Sequence, residues 1–404
     1  MLSSMTVIAV LFLLCCGQFQ NANAVIEVAE KSHRFDQGFL FLDASSFKDG
    51  NLVYATCDRN TTSMTKCKVV QENYPYEDIT HSCSITLRGD HEDSDLSVRI
   101  GISALGKDKA ILVWTDYHNT STTIEIGTVS LKTCKMNKIK IPDAGIAVFA
   151  EMIHTNKIVA YNDDSYDIFF DDLKRCGGRM CKLQVSADGK AKGEPAAAKM
   201  ANGFVSYASS VATHSPAKGY AYVKKIGDNS VLYLLKPDGT EKQLAKYEGI
   251  PIRVVSVGND FISACTNATE VTCTQFEDDG DVKLTTTMSD INKNTKPVSV
   301  NNLADGSILV LFAEFKQCEP QAGCNGVTGY QVVKISSDGK KTGTLKTQEL
   351  ETATGVTRKS YIYKNGDEGY CAAVIGQNST TNENEPSDFR IVVNCFTDAD
   401  FSTE

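Results

Sequence analysis

Residues 162–172 read Asn-Asp-Asp-Ser-Tyr-Asp-Ile-Phe-Phe-Asp-Asp, five carboxylates around an aromatic patch. Carboxylate oxygens at this density coordinate hard cations, and acids beside aromatic rings hold a cationic amine through charge and cation–π contact. Asp163, Asp164, Tyr166 and Asp167 are therefore the first candidate binding residues. The segment has neither the ligand alternation nor the terminal Glu of an EF-hand loop. The competing reading makes residues 168–170 a short strand or plug with solvated aspartates at its ends.

A second candidate is Arg88-Gly89-Asp90. On an extracellular loop this tripeptide engages integrins, whose bound metal takes the Asp carboxylate; otherwise it is an acidic turn. All six histidines precede residue 215, and none pair at metal-ligand spacing. No nucleophile elbow, phosphate loop or dinucleotide fingerprint occurs. The sequence thus assigns no catalytic residue and no cofactor, and leaves open only a structural or channel-bound calcium ion. Lys132, Lys135, Lys138 and Lys140 form a basic stretch that suits a sulfated glycan or protects an edge strand.

The elements that must position these residues repeat seven times between Gln37 and Phe396: an apolar run, a turn, a second apolar run, a polar loop and a third run. The second runs are Leu52-Val53-Tyr54-Ala55, Ile111-Leu112-Val113-Trp114, Ile158-Val159-Ala160-Tyr161, Tyr220-Ala221-Tyr222-Val223, Phe261-Ile262-Ser263-Ala264, Ile308-Leu309-Val310-Leu311 and Tyr370-Cys371-Ala372-Ala373. Unbroken apolar runs mean strands covered on both faces, and short strands at this period mean radially stacked blades. The expected fold is an all-β, seven-bladed propeller of four-stranded antiparallel blades; the uneven spacing leaves six or eight blades open, and in blade three Asn162 to Met180, with the acidic segment, is read as a long insertion between the second and third strands. Asp-Gly at 188–189, 238–239, 279–280 and 338–339 marks recurrent turns between third and fourth strands, read as type I′. The last blade lacks a fourth strand, and residues 25–30 are expected to supply it and close the ring.

Residues 1–24 read as a secretory signal peptide ending Ala22-Asn23-Ala24, with residues 25–404 forming one domain. No later run has the length of a membrane helix. Net charge is −9 with both signs mixed along the chain, which argues against a nucleic-acid partner. Twelve of the fourteen cysteines follow residue 24, an even number suited to an oxidising compartment. On the blade frame they pair as Cys57–Cys67, Cys83–Cys134, Cys176–Cys181, Cys265–Cys273, Cys318–Cys324 and Cys371–Cys395, one of about ten thousand connectivities. A zinc cluster is the rival reading, but the short spacings lack the doubled knuckle that zinc requires. Sequons at Asn60, Asn119, Asn267 and Asn378 fall between second and third strands, the end of a propeller that usually carries ligands.

The leader ending Ala22-Asn23-Ala24, the local pairs such as Cys57/Cys67 and Cys265/Cys273, and the lack of catalytic residues give a chain similar to secreted salivary or venom propellers of insects, mosquitoes notably. The resemblance implies a protein that binds something in the host or in the mouthparts. The expected function is that of a non-enzymatic, extracellular monomer that binds a protein partner through its loop face, chiefly blades three, four and six, the sector that glycans on the four sequons would leave open. Two alternatives stand beside it: a scavenger of small cationic amines, and a calcium-dependent propeller hydrolase.

Overall fold

The computed structural model describes residues 23–32, 40–47, 49–59, 65–87, 100–118, 121–144, 158–161, 163–171, 175–176, 180–197, 211–212, 219–226, 228–236, 238, 240–248, 252–258, 260–266, 270–291, 294–319, 323–346, 360–365, 369–378 and 387–401. The expected signal peptide lies almost wholly outside them. Their strands form seven four-stranded antiparallel sheets. Six are plain meanders in chain order, blades one to six. The seventh takes its outermost strand, Asn23–Ser32, from the N-terminus, where it pairs antiparallel with Ser387–Phe396 in the register Val25↔Val392 and Ile26↔Ile391. The ring is thus closed by the chain's own beginning, leaving blade seven no bare edge. Two bulges, after Glu27 and after Ala29, bend this strand.

Six of the seven expected second strands contain the residues assigned to them. Blade three does not. There residues 158–160 form the first strand, and the second is Tyr166–Asp171. The turn between them, residues 162–165, has no glycine to mark it, and so the two apolar runs were one strand out of place.

Seven buried clusters hold the ring, one at each junction between neighbouring blades. Each second strand serves two of them because alternate side chains leave opposite faces of the sheet. In blade one, Val53, Ala55 and Cys57 face blade two, while Leu52 and Tyr54 face blade seven. Around the axis, polar side chains stitch neighbouring first strands. Ser45 Oγ accepts the Ala104 N–H at 3.0 Å, and Ser299 Oγ accepts the Ile362 N–H at 3.3 Å. The junction of blades three and four is built differently: its apolar part is largely aromatic, with Phe169, Tyr220 and Tyr222 around Val159 and Leu235.

Buried tyrosines predict an alkaline limit. Burial pushes Tyr166 and Tyr330 up to about 12, each partly offset by a hydroxyl partner, Thr128 and Ser360 respectively. Raised in the folded state above the unfolded value near 10, they bind more protons folded than unfolded. Their contribution is therefore full below about pH 10 and lost as the pH rises towards 12. Urea midpoints measured from pH 8 to pH 12 should stay level to about 10 and then fall.

Candidate functional site

The meander gives the ring two unlike ends. One carries the turns between first and second and between third and fourth strands. The other carries the hairpins between second and third strands, together with the crossings from blade to blade. At the turn end, five-residue turns repeat one geometry. Phe47, Tyr161 and Leu303 each donate N–H to the carbonyl four residues on, at 2.8–2.9 Å, and Ser186, Glu277 and Ser336 do the same in turns between third and fourth strands. Only the fourth residue is left-handed: Gly306 at φ +82°, Gly339 at φ +86°, and in blade three Asp164 at φ +60°. These are type I turns with a bulged left-handed residue, not the type I′ turns expected from Asp-Gly, because the aspartate stays right-handed and caps the turn through its side chain. Ser186 and Ser336 bind the carboxylates of Asp188 and Asp338, and with Lys190 and Lys340 they hold both acids down to about 2.

Asp163 and Asp164 belong to this turn set. Asp163 Oδ1 accepts the Ser165 N–H at 3.0 Å and its hydroxyl at 2.6 Å, and these bonds lower its proton affinity. Asp164 fills the place that glycine takes elsewhere, and its carboxylate reaches Lys109 Nζ of blade two at 3.2 Å. A Cβ on Gly106 would come within 2.5 Å of that carboxylate, so glycine there permits the approach. Both acids therefore lie at the turn end, away from the sequon-bearing end where the acidic segment was placed. Replacing Asp164 by Gly should leave stability within about 0.5 kcal/mol, since relief of the left-handed backbone offsets a weak, partly exposed ion pair. Thermal melts of Asp164→Gly check this.

The same reading separates Tyr166 from Asp167. Tyr166 turns towards blade two, fully buried, with its hydroxyl 2.6 Å from Thr128 Oγ1. Asp167 turns towards blade four and is 1% exposed. Its Oδ2 accepts hydrogen bonds from Tyr161 and Tyr220, both at 2.7 Å, and lies 3.4 Å from Lys182 Nζ. Its Oδ1 has no partner among the described residues. Burial above all, then the bonds to Tyr220 and Asp167, raises Tyr161 beyond the usual phenol range. Burial likewise raises Tyr220. Lys182 also stands 5.7 Å over the Tyr220 ring. Tyr161, Tyr220 and Lys182 were not singled out from sequence; the available signal was the tyrosine opening the second strands of blades three, four and seven, Tyr166, Tyr220 and Tyr370.

At the hairpin end the blades differ in height. In blade six the second and third strands, Ile308–Glu319 and Gly323–Ile335, run on past the last first-strand pair, Thr295↔Glu314. That projection of five residues rises about 17 Å at about 3.3 Å per residue. Blade seven projects beyond Val374 to Asn378, and blade two beyond Trp114 to His118. Blade four also projects, from beyond Tyr222 to Ile226, and turns in two residues between Ile226 and Asn229; among the described residues blade five has no projection, for Thr266 itself pairs with the first strand.

Disulfides brace this frame. Cys57–Cys67 and Cys265–Cys273 bridge second and third strands near the hairpin end. Cys318 and Cys324 are register partners within the blade six projection rather than in a loop. Cys371–Cys395 bridges the same two strands of blade seven, but near the turn end. Cys176–Cys181 lies within blade three, and Cys83–Cys134 joins blade one to blade two.

Arg88, Gly89 and Asp90 lie outside the described residues, as do Asn60, Asn119 and Asn267; Asn378 ends the second strand of blade seven. The basic stretch of blade two is engaged internally. Lys140 pairs with Glu125 at 3.0 Å, and Lys138 Nζ lies 3.1 Å from the Leu87 carbonyl and 5.5 Å over the Trp114 ring. Among the described residues no three His, Cys, Asp or Glu side chains converge as a metal site, and no helix is long and apolar enough to cross a membrane.

No family model matches the chain, and no curated protein matches it. Solved propellers do. Acylaminoacyl peptidase of Pyrococcus horikoshii aligns over 93% of this chain and 54% of its own, at 14% identity and TM-score 0.45. The chain therefore spans about half the length of that peptidase. The β-propeller domain of the Trilobed protease from Pyrococcus furiosus aligns over 88% and 93%, at 9% identity and TM-score 0.44. The WD40 domain of SCAP from fission yeast aligns over 92% and 98%, at 10% identity and TM-score 0.42. The likeness is one of fold.

Proposed function

We propose that this chain is a secreted, non-enzymatic binding protein that seats a protein partner on its hairpin end. One observation carries the reading: the hairpins of blades two, four, six and seven stand above the low edge of blade five. Loops held on a rigid scaffold are where binding surfaces concentrate, and disulfides near the hairpin tips lower the ordering cost on association. Ile226, an exposed large apolar side chain, stands at the tip of the blade four hairpin. This sector replaces the one drawn from the acidic segment of blade three. Five disulfides support an oxidising, extracellular setting. With the likeness to insect salivary and venom propellers, the partner is a host haemostatic or immune factor, or a cuticular protein.

A glycan used as a wedge tests the placement. Val327→Thr completes a sequon at Asn325 in the blade six projection, whereas Asp188→Asn with Lys190→Thr completes one in a turn at the opposite end. The first should weaken binding to the partner recovered by pull-down about a hundredfold, or about 2.7 kcal/mol, and the second should leave it unchanged. Equal affinity of both glycoforms would remove the hairpin end from consideration.

The unpartnered Oδ1 of Asp167 favours a second reading, in which a small cationic amine enters between blades three and four. Calorimetry with a panel of amines separates the two, for a protein-only binder gives no heat.

A further inference from the structure

We propose that Cys83–Cys134 is a thiol–disulfide exchange site, opened by an external dithiol while the other mapped disulfides stay closed. Of the ten half-cystines mapped in the structure, nine are buried: Cys57, Cys67, Cys83, Cys176, Cys181, Cys265, Cys273, Cys371 and Cys395 range from 0 to 5% exposed. Cys134 alone is exposed. Exchange requires a thiolate to reach a sulfur, so access selects the site. Cys134 lies in the turn between third and fourth strands of blade two, after Lys132 and before Lys135, both exposed.

The steps balance. A thiolate of the dithiol attacks Cys134 Sγ, forming a mixed disulfide and releasing Cys83 Sγ, which takes a proton. The second thiol, deprotonated, attacks the mixed disulfide and releases Cys134 as a thiolate. The dithiol is oxidised by two electrons to its disulfide, and Cys83–Cys134 is reduced by two. Acceptors for the freed thiols are in place: the Leu131 carbonyl oxygen lies 3.3 Å from Cys83 Sγ, and the Ser82 carbonyl oxygen 3.7 Å from Cys134 Sγ.

The bond has a use that the others lack. The remaining four mapped disulfides each lie within one blade, whereas this one ties the fourth strand of blade one, Ile79–Thr86, to the next blade. Cys134 also occupies a left-handed position, φ +54°, of the kind glycine fills in the other turns. Opening the bond lets a strained residue relax and frees an outer strand whose Cys83 and Ile85 belong to the cluster between blades one and two, while the other six clusters stay untouched.

Titrating the intact oxidised protein with dithiothreitol, followed by differential alkylation and mass mapping, reads the order of opening. Cys83 and Cys134 should be alkylated at about tenfold lower reductant than any other mapped pair. Simultaneous opening, or earlier opening of another pair, would overturn the proposal. Cys83→Ser with Cys134→Gly mimics the open form while giving the turn the residue its backbone prefers. That variant should keep its far-ultraviolet circular dichroism and show faster hydrogen exchange in the Ile79–Thr86 strand. Unchanged exchange there would deny the bond its role as a latch.

Discussion

A chain lacking residues 25–32 should lose cooperative folding and associate through blade seven. Among the described residues the strand Asn23–Ser32 is the only partner on the outer side of Ser387–Phe396, and its removal bares a ten-residue edge of unpaired N–H and C=O groups. In a closed ring the effect does not stop at one blade, because each sheet is held by its two neighbours. We expect a loss of about 5 kcal/mol or more, comparable with the whole net stability of an ordinary domain. Light scattering after chromatography should show oligomers. A synthetic peptide of residues 23–32 supplied in trans should raise the melting temperature of whatever monomer remains. A truncated chain that stays monomeric and melts like the full one would show that blade seven needs no fourth strand.

The second large effect is expected at Asp167. Replacing it with Ala removes the acceptor shared by Tyr161 and Tyr220 and leaves these two phenols, 3.0 Å apart, with only each other at the junction of blades three and four. Unmet buried groups cost about 1–3 kcal/mol each, and breaking a buried ionic cluster about 3–5 kcal/mol. Lys182 is partly exposed and regains water, so we place the loss near the low end, at about 3 kcal/mol. Asp167→Asn, which keeps an acceptor, should cost less than half of that. The two substitutions also differ in alkali. Asp167 helps to hold Tyr161 neutral, so without it the alkaline fall in stability still begins near the unfolded value of about 10 but should be shallower. Equal urea midpoints for Asp167→Ala and the unmodified protein would mean that the polar cluster does not secure this junction.

Much of the architecture was legible because its signals are local and repeated. Six second strands announce themselves as apolar runs, and ring closure followed from a blade with three strands and an N-terminal run with none beside it. The error in blade three has a definite origin. Asn162-Asp163-Asp164-Ser165 folds like Ala304-Asp305-Gly306-Ser307, but an aspartate stands where the eye seeks glycine, and the turn was taken for an insertion. One misplaced strand moved Asp163 and Asp164 to the wrong end of the ring. The Asp167 cluster was less legible still. Its members come from four strand ends in two blades, and Tyr220 is fifty-three residues from the carboxylate it binds. No local pattern encodes such a pairing; only the stacking of blade upon blade creates it.

Hydrogen exchange on the complex with the recovered partner tests the central claim most directly. Protection should gather in residues 115–118, 315–319, 323–327 and 375–378, the projecting hairpins of blades two, six and seven, and around Ile226 at the tip of the blade four hairpin. The turns at Asp163, Asp188, Asp305 and Asp338 should exchange as they do in the free protein. Protection confined to those turns, with the hairpins unchanged, would place the partner on the opposite end and contradict the account.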